Sequence, residues 1–265
     1  MIFSVIKREL TLRRNSLLVL CTVVALLAIL YTTIFPSIQQ QATQLMHSLK
    51  NVYKAVGIQG APSFKTLFDY MALEMFAVTW PIIVTILVAG QAGASLAGET
   101  EKGSLAMLLA LPIKRASTYF GKYLAGVVAL IAFIVATLLP IPIAASIGGM
   151  SYHLPGLFTM TLMCLLFGLA VFSISLMLSA LFNERGKVYG LSGGLLLIMY
   201  VFNIVSGLNQ QLNWLKYLSF FHYFNAQSAL GANHIALASF VMFLLVSVAA
   251  GIVGLLSFRS KDIAV

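Results

Sequence analysis

An all-α membrane protein with six transmembrane helices is the fold this sequence predicts, and three observations predict it. The first is composition: of 265 residues, 60% are hydrophobic and 9% charged, with a mean hydropathy of +0.99. Soluble domains carry about 25% charged residues, and a soluble fold of this size could not cover its surface with so few. A soluble enzyme, a disordered chain and a nucleic-acid module are excluded on that ground. The second is a set of six apolar runs, each near the roughly 20 residues a helix needs to cross a bilayer core of about 30 Å. The third is the placement of Lys and Arg, which favours alternate ends of those runs.

The elements follow in order. Residues 1–15 read as an amphipathic elbow helix, with Ile2, Phe3, Ile6 and Leu10 on one face and Lys7, Arg8, Thr11 and Arg14 on another. That is the pattern of a helix lying on the inner leaflet. Spans are expected at 16–35, 70–96, 119–147, 156–182, 188–208 and 235–258. Their continuous apolarity selects helices over barrel strands, which alternate with period two. Pro81, Pro140 and Pro142 lie inside these runs and predict kinks, which membrane helices tolerate. After the first span, Leu45, Leu49, Val52 and Val56 recur at helical spacing, predicting a short outer helix that Gly57, Gly60 and Pro62 end. The segment 209–233 gathers Trp214, Tyr217, Phe220, Phe221, Tyr223 and Phe224, so it is expected to lie along the outer interface or re-enter the membrane. No repeat divides the chain, and 1–265 reads as a single transmembrane domain. The first run has full spanning length and no small-residue cleavage pattern, so no cleavable signal peptide is expected.

Orientation comes from charge. With the N-terminus inside, the inner segments hold Lys7, Arg8, Arg13, Arg14, then Lys102, Lys114, Arg115, Lys122, then Arg185 and Lys187, and finally Arg259 and Lys261. Only Lys50, Lys54, Lys65 and Lys216 fall outside. This bias places both termini in the cytoplasm and accounts for the net charge of +9 without nucleic acid. Cys21 and Cys164 sit in apolar runs and read as small buried hydrophobes.

Enzyme signals are weak. Neither H-E-x-x-H nor C-x-x-C occurs, and His47, His153, His222 and His234 all fall on the outer side, where they read as polar rings at a wet interface and no metal site is expected. Gly190-Leu191-Ser192-Gly193 matches the G-x-S-G pattern of rhomboid-type intramembrane serine proteases. Such a serine needs a histidine within about 3 Å, whereas His234 is expected at the far end of its helix, of order 20 Å away. Gly98 to Ser104 superficially resembles a phosphate-binding loop, but no Lys follows the second glycine and its two carboxylates would repel phosphate. No catalytic residue and no cofactor site are therefore expected on this chain.

Two small-residue stripes stand out. Gly186, Gly190 and Gly194 recur every fourth residue on the fifth span, and Gly90, Ala94 and Gly98 do so on the second. Such stripes let helix backbones approach closely, within a subunit or between subunits. The fifth span, with Asn203, is expected to border a subunit interface, and Ser192 and Leu196 offer positions at which to test it.

The loop 98–117 is the most informative stretch. Two acidic residues, Glu99 and Glu101, open it, an apolar run from Leu105 to Leu111 follows, and Pro112 then precedes the basic pair Lys114-Arg115. The apolar run is too short to span and too greasy for a bare loop, so a short helix docked on a partner or in the interface is expected. At Glu99, Glu101, Lys102, Gly103, Ser104, Leu105, Leu108, Leu109, Pro112, Arg115, Gly121 and Lys122, the sequence resembles the ABC-2-type permeases, membrane subunits of ATP-binding cassette exporters. Their loop reads E-x-E-[KR]-G-[ST]-L, then L-L-x-x-P, a basic residue and G-K. The likeness extends to the six spans, the elbow and the stretch from Leu218 to Leu230. It departs at Phe220, where many relatives have proline.

The resemblance implies a type V exporter: two membrane subunits, identical or paralogous, in the lipid bilayer above two copies of a cytoplasmic ATPase that carries the ATP and Mg. It implies that Glu99 to Leu111 couples to the ATPase, with Arg115 nearby and Asn183, Glu184 and Arg185 as a second contact. Export of a hydrophobic or amphiphilic cargo (a drug, an antimicrobial peptide or a lipid-like molecule) from a bacterial cell is the expected function. An ion-coupled secondary transporter is the alternative from another class, and it would show ionisable residues inside the membrane.

Overall fold

The structure, a computed structural model, describes residues 2–55, 65–105 and 115–261. Among the described residues there is no strand, and six helical stretches are long and apolar enough to cross a membrane. Helix α1 (Ile2–Ala55) forms the first. The second joins α2 (Leu67–Met71), a π-helical stretch (Ala72–Thr79) and α3 (Trp80–Glu101). Helices α4 (Arg115–Leu138) and α5 (Pro140–Ile147) share the third, and α6 (Leu154–Leu181) and α7 (Arg185–Leu208) are the fourth and fifth. A 3-10 helix (Gln210–Leu218), α8 (Phe220–Tyr223) and α9 (Ala226–Gly231) precede α10 (Leu237–Ser260), the sixth.

Prolines explain the breaks. Pro81 and Pro140 cannot donate a backbone hydrogen bond; the wider π turn ends just before Pro81, and the hydrogen-bond ladder is interrupted at Pro140 although Leu139 keeps helical dihedrals. Pro36, in contrast, lies inside α1 without ending it. Nor does Ser16 begin a helix. The expected elbow is helical but runs unbroken into the first span, and the helix expected after that span is its continuation up to Ala55, Val56 lying outside the described residues. At about 1.5 Å per residue, 54 residues far exceed a bilayer core. The amphipathic face also turns differently from expectation. Val5 and Glu9 are buried, while Phe3 is fully outward.

Helix α6 is the centre of the bundle, packed against α10, α3, α4 and α9. Of its apolar window 61% is buried, against 17% for α1, 22% for α7 and 28% for α10, so these three supply most of the surface left to lipid or to other subunits. Close approach depends on glycine at two places. A Cβ on Gly126 would lie 2.0 Å from the Phe172 ring, and one on Gly156 would lie 2.3 Å from the Leu230 carbonyl oxygen.

The two ends of the bundle differ. One, here the aromatic end, is closed by the segment between α7 and α10. Three polar side chains punctuate it: Asn209, Ser219 and Asn225 accept from the backbone N–H of Gln211, Phe221 and Ser228, each opening a short helix. Its first half buries nothing and leaves Trp214 and Tyr217 exposed. Its second half enters the core. Phe224 stacks on Trp80, centroids 5.6 Å apart and planes 7° from parallel, and Phe220, Phe221 and Phe224 surround Phe167. The Trp80 indole N–H donates to Thr137 Oγ1 at 3.2 Å, so its one polar atom is satisfied in the dry interior. The segment is thus exposed in one half and packed into the bundle in the other.

Candidate functional site at the basic end

The opposite end gathers the charges, and five of them form one network. Lys122, on α4, has a side chain wholly removed from solvent. Its Nζ donates to Glu9 Oε1 of α1 at 2.5 Å and lies 2.8 Å from Glu99 Oε2 of α3, an ion-pair contact without hydrogen-bond alignment. Arg13 closes the second oxygen of Glu9 at 2.8 Å and donates to the Gln91 carbonyl. Arg8 stands 3.6 Å from Glu99, the loosest link, with 43% of its side chain exposed. Three cations thus hold two carboxylates, which joins α1, α3 and α4. Buried charges are stable only when paired in this way.

The sequence reading placed Glu99 on the inner surface as a contact for a partner. That is corrected: Glu99 is buried inside this chain. Glu9 went unnoticed, although its i,i+4 spacing to Arg13 was visible. Lys122 lies several residues inside a helix rather than in a loop. Leu105 is fully buried in the chain's own core.

Glu101 behaves otherwise. It is exposed at the end of α3, and its Oε2 accepts the backbone N–H of Arg185, 2.9 Å away, at the start of α7. Glu184, the residue flanking α7, provides no side-chain cap. A carboxylate from another helix therefore caps α7 and meets the positive end of its dipole. The two stretches expected to touch a partner, 99–105 and 183–187, are brought together by this bond. Lys102 is exposed, Gly103 turns the chain at φ +69°, and helix resumes at Ser104, whose hydroxyl donates to the Glu99 carbonyl. Asn183 and Glu184 are exposed, and Glu184 pairs with Lys187. Leu108, Leu109 and Pro112 lie outside the described residues.

Further ties lace this end. Arg115 donates to the carbonyls of Arg259 and Lys261, and Lys261 Nζ donates to those of Ala180 and Phe182 at 2.9 and 3.1 Å. That ammonium satisfies the open carbonyls at the end of α6, and burial lowers its pKa below the usual lysine value.

The glycine stripes have opposite fates. Gly90 and Gly93 pack under Tyr189 of α7, where a Cβ would lie 2.9 and 3.4 Å from the nearest atoms, and Ala94 is half-buried beside them. Nothing lies within 4 Å of a Cβ built on Gly186, Gly190 or Gly194. The α3 stripe is covered by Tyr189 only at Gly90 and otherwise borders a groove, and the α7 stripe is open. Ser192 and Leu196, expected toward an interface, instead point inward and are buried. The Ser192 hydroxyl has no hydrogen-bond partner, so nothing among the described residues activates it as a nucleophile.

A chain of six apolar helices, tied by ions at one end and closed by aromatics at the other, is a multi-pass membrane protein. It belongs to the family described as ABC-2 family transporter proteins, whose pattern matches residues 3–263, nearly the whole chain. Members are membrane permease components of transporters. No curated protein matches the chain.

Proposed function

We propose that this chain is the permease subunit of an ATP-binding cassette exporter, carrying a hydrophobic or amphiphilic cargo outward while ATPase subunits work on its basic end. On this reading the basic end faces the cytoplasm, consistent with the excess of Lys and Arg there. The observation that carries it is the Glu101–Arg185 bond. Because Glu101 caps α7 from the end of α3, force applied to the 99–105 turn is felt by two spans at once. Transmission needs such a rigid two-state element.

The test uses the permease purified with its ATPase. Glu101→Ala is expected to leave assembly and ATP hydrolysis intact and to lower export several-fold. Unchanged export with unchanged cargo-stimulated hydrolysis would remove the coupling role. Leu105→Asp, attractive from sequence, is a poor probe because it would bury a charge in the core.

The open α7 stripe supports a second membrane subunit, identical or paralogous, packed on that helix. Gly190→Cys and Leu197→Cys, on exposed positions, are expected to cross-link between subunits; neither doing so under oxidation would exclude that face. Ion-coupled transport has one feature in its favour, the buried carboxylates Glu9 and Glu99. Both are already paired with cations, and export that persists when the proton gradient is collapsed in the presence of ATP would exclude it.

A further inference from the structure

Between α1, α3 and the start of α7 lies a groove of about 790 Å³, within the range of small-molecule sites. Its lining changes character along its length. At the basic end stand Arg8, Lys102 and Arg185, and deeper toward the middle of the bundle stand Leu17, Leu20 and Leu87. From Arg8 to Leu20 the α1 wall rises about 18 Å, slightly more than half of a bilayer core of about 30 Å. The groove is therefore one leaflet deep, cationic at the headgroup level and apolar at the chain level.

Its cations have capacity to spare. The Lys102 ammonium makes no hydrogen bond or ion pair among the described residues, and it is exposed. Arg185 lies over the Tyr189 ring, 5.2 Å from the centroid, and donates to its hydroxyl, contacts that leave other N–H groups free. Arg8 keeps only the 3.6 Å contact with Glu99. Glu99 is the one carboxylate in the lining, and Lys122 already holds it. The remaining field is positive.

We propose that this groove binds one anionic, phospholipid-like amphiphile from the inner leaflet, phosphate on Arg8, Lys102 and Arg185 and acyl chain along Leu17, Leu20 and Leu87. Guanidinium and ammonium groups at the mouth fit a phosphate through charge-assisted hydrogen bonds, and the apolar wall fits a chain that would otherwise lie in lipid. The inference rests on the permease reading for its orientation, and it names the amphiphile class that the site would take. A phosphate held there also draws Arg8 from Glu99, so occupancy and the ion network are linked.

Native mass spectrometry of the purified full-length protein, titrated with phosphatidylglycerol and separately with phosphatidylcholine, tests it without any ATPase. Phosphatidylglycerol is expected to stay bound. The double change Lys102→Gln with Arg185→Gln should weaken it about a hundredfold, two lost charge-assisted contacts at roughly tenfold each. Ala94→Phe, which fills the groove without altering charge, should abolish retention with the melting temperature unchanged. Equal retention of the two lipids, or variants that bind like the wild type, would overturn the proposal. So would a Leu12→Cys disulfide between two copies that forms in the presence of phosphatidylglycerol while no lipid is retained, because a second copy would then fill the space. Loss of the coupling role would leave these binding results untouched, so the two readings fail separately.

Discussion

The two ends of this bundle solve the same packing problem with different chemistry. At the aromatic end, Trp80, Phe167, Phe220 and Phe224 interlock with ring centroids 4.8 to 6.3 Å apart, and one indole hydrogen bond completes the plug. At the basic end, α1, α3 and α4 meet through Lys122, Glu9 and Glu99, and α3 meets α7 through one exposed carboxylate. Aromatic interlock is insensitive to salt and has one good geometry. Buried ions hold only while every charge keeps its partner. The difference lies in what each end depends on: shape at the aromatic end and pairing of buried charge at the basic end.

The largest effects should come from breaking each end at its centre. Trp80→Ala removes the hub of the aromatic plug and is expected to destabilise the protein by about 3–5 kcal/mol, read as thermal unfolding in detergent. Lys122→Met leaves Glu9 and Glu99 facing one another in a buried site, and a loss of similar size, about 3–5 kcal/mol, is expected. The contrast appears in rescue. Adding Glu99→Gln to Lys122→Met removes the buried carboxylate left with only the loose Arg8 contact, keeps the Glu9–Arg13 pair, and should recover most of the stability, because a neutral group of equal volume is as good there as an ion pair. No polar exchange around Phe167 should rescue Trp80→Ala. A double variant as unstable as the single one would show that the network is held by more than charge balance.

Sequence alone reached the spans, because twenty apolar residues can do little else in a chain with so few charges. It picked out the aromatic segment for a similar reason: of the six rings in 209–233, Phe220 and Phe224 are buried in the bundle. It misjudged partners within the chain. Glu99 reads as a surface residue because its neighbours in sequence are polar, whereas its burial depends on Lys122, twenty-three residues away, and on Glu9 in another helix. Periodicity cannot separate α1 from its extensions, since a helix that continues past the membrane keeps the same period. The two small-residue stripes look alike in sequence, and only Tyr189, which lies over Gly90 while no atom comes near the α7 glycines, distinguishes them.

Glu101 sharpens the comparison at smaller scale. Loss of a cap costs about 1 kcal/mol, so Glu101→Ala should lower stability by that amount while lowering export several-fold. Glu101→Gln keeps an acceptor for the Arg185 N–H and should restore part of both. A cap matters to the fold in proportion to its energy, but to transmission in proportion to the elements it joins. Equal, small losses in both measurements would mean that α7 follows α3 through packing at Tyr189 and not through this bond.

The smallest expected effect lies at the aromatic end, at His222. His222 is packed edge-on against Tyr217 and Tyr223, ring centroids 5.5 and 5.1 Å away. Burial, with Lys216 adding its charge, lowers the ring's pKa below its ordinary 6.5. Folding therefore favours neutral imidazole, and the unfolded chain binds the proton first as pH falls. Stability is full above about pH 6.5 and declines as pH drops through the folded value, by a fraction of a kcal/mol for a ring only half-buried. Melting temperatures at pH 7.5 and 5.5 should thus differ more in the wild type than in His222→Phe, which keeps an aromatic ring and loses the proton site. If the two proteins lose stability equally on acidification, the sensitivity belongs to the carboxylates of the basic end, and the aromatic end is clamped at every pH.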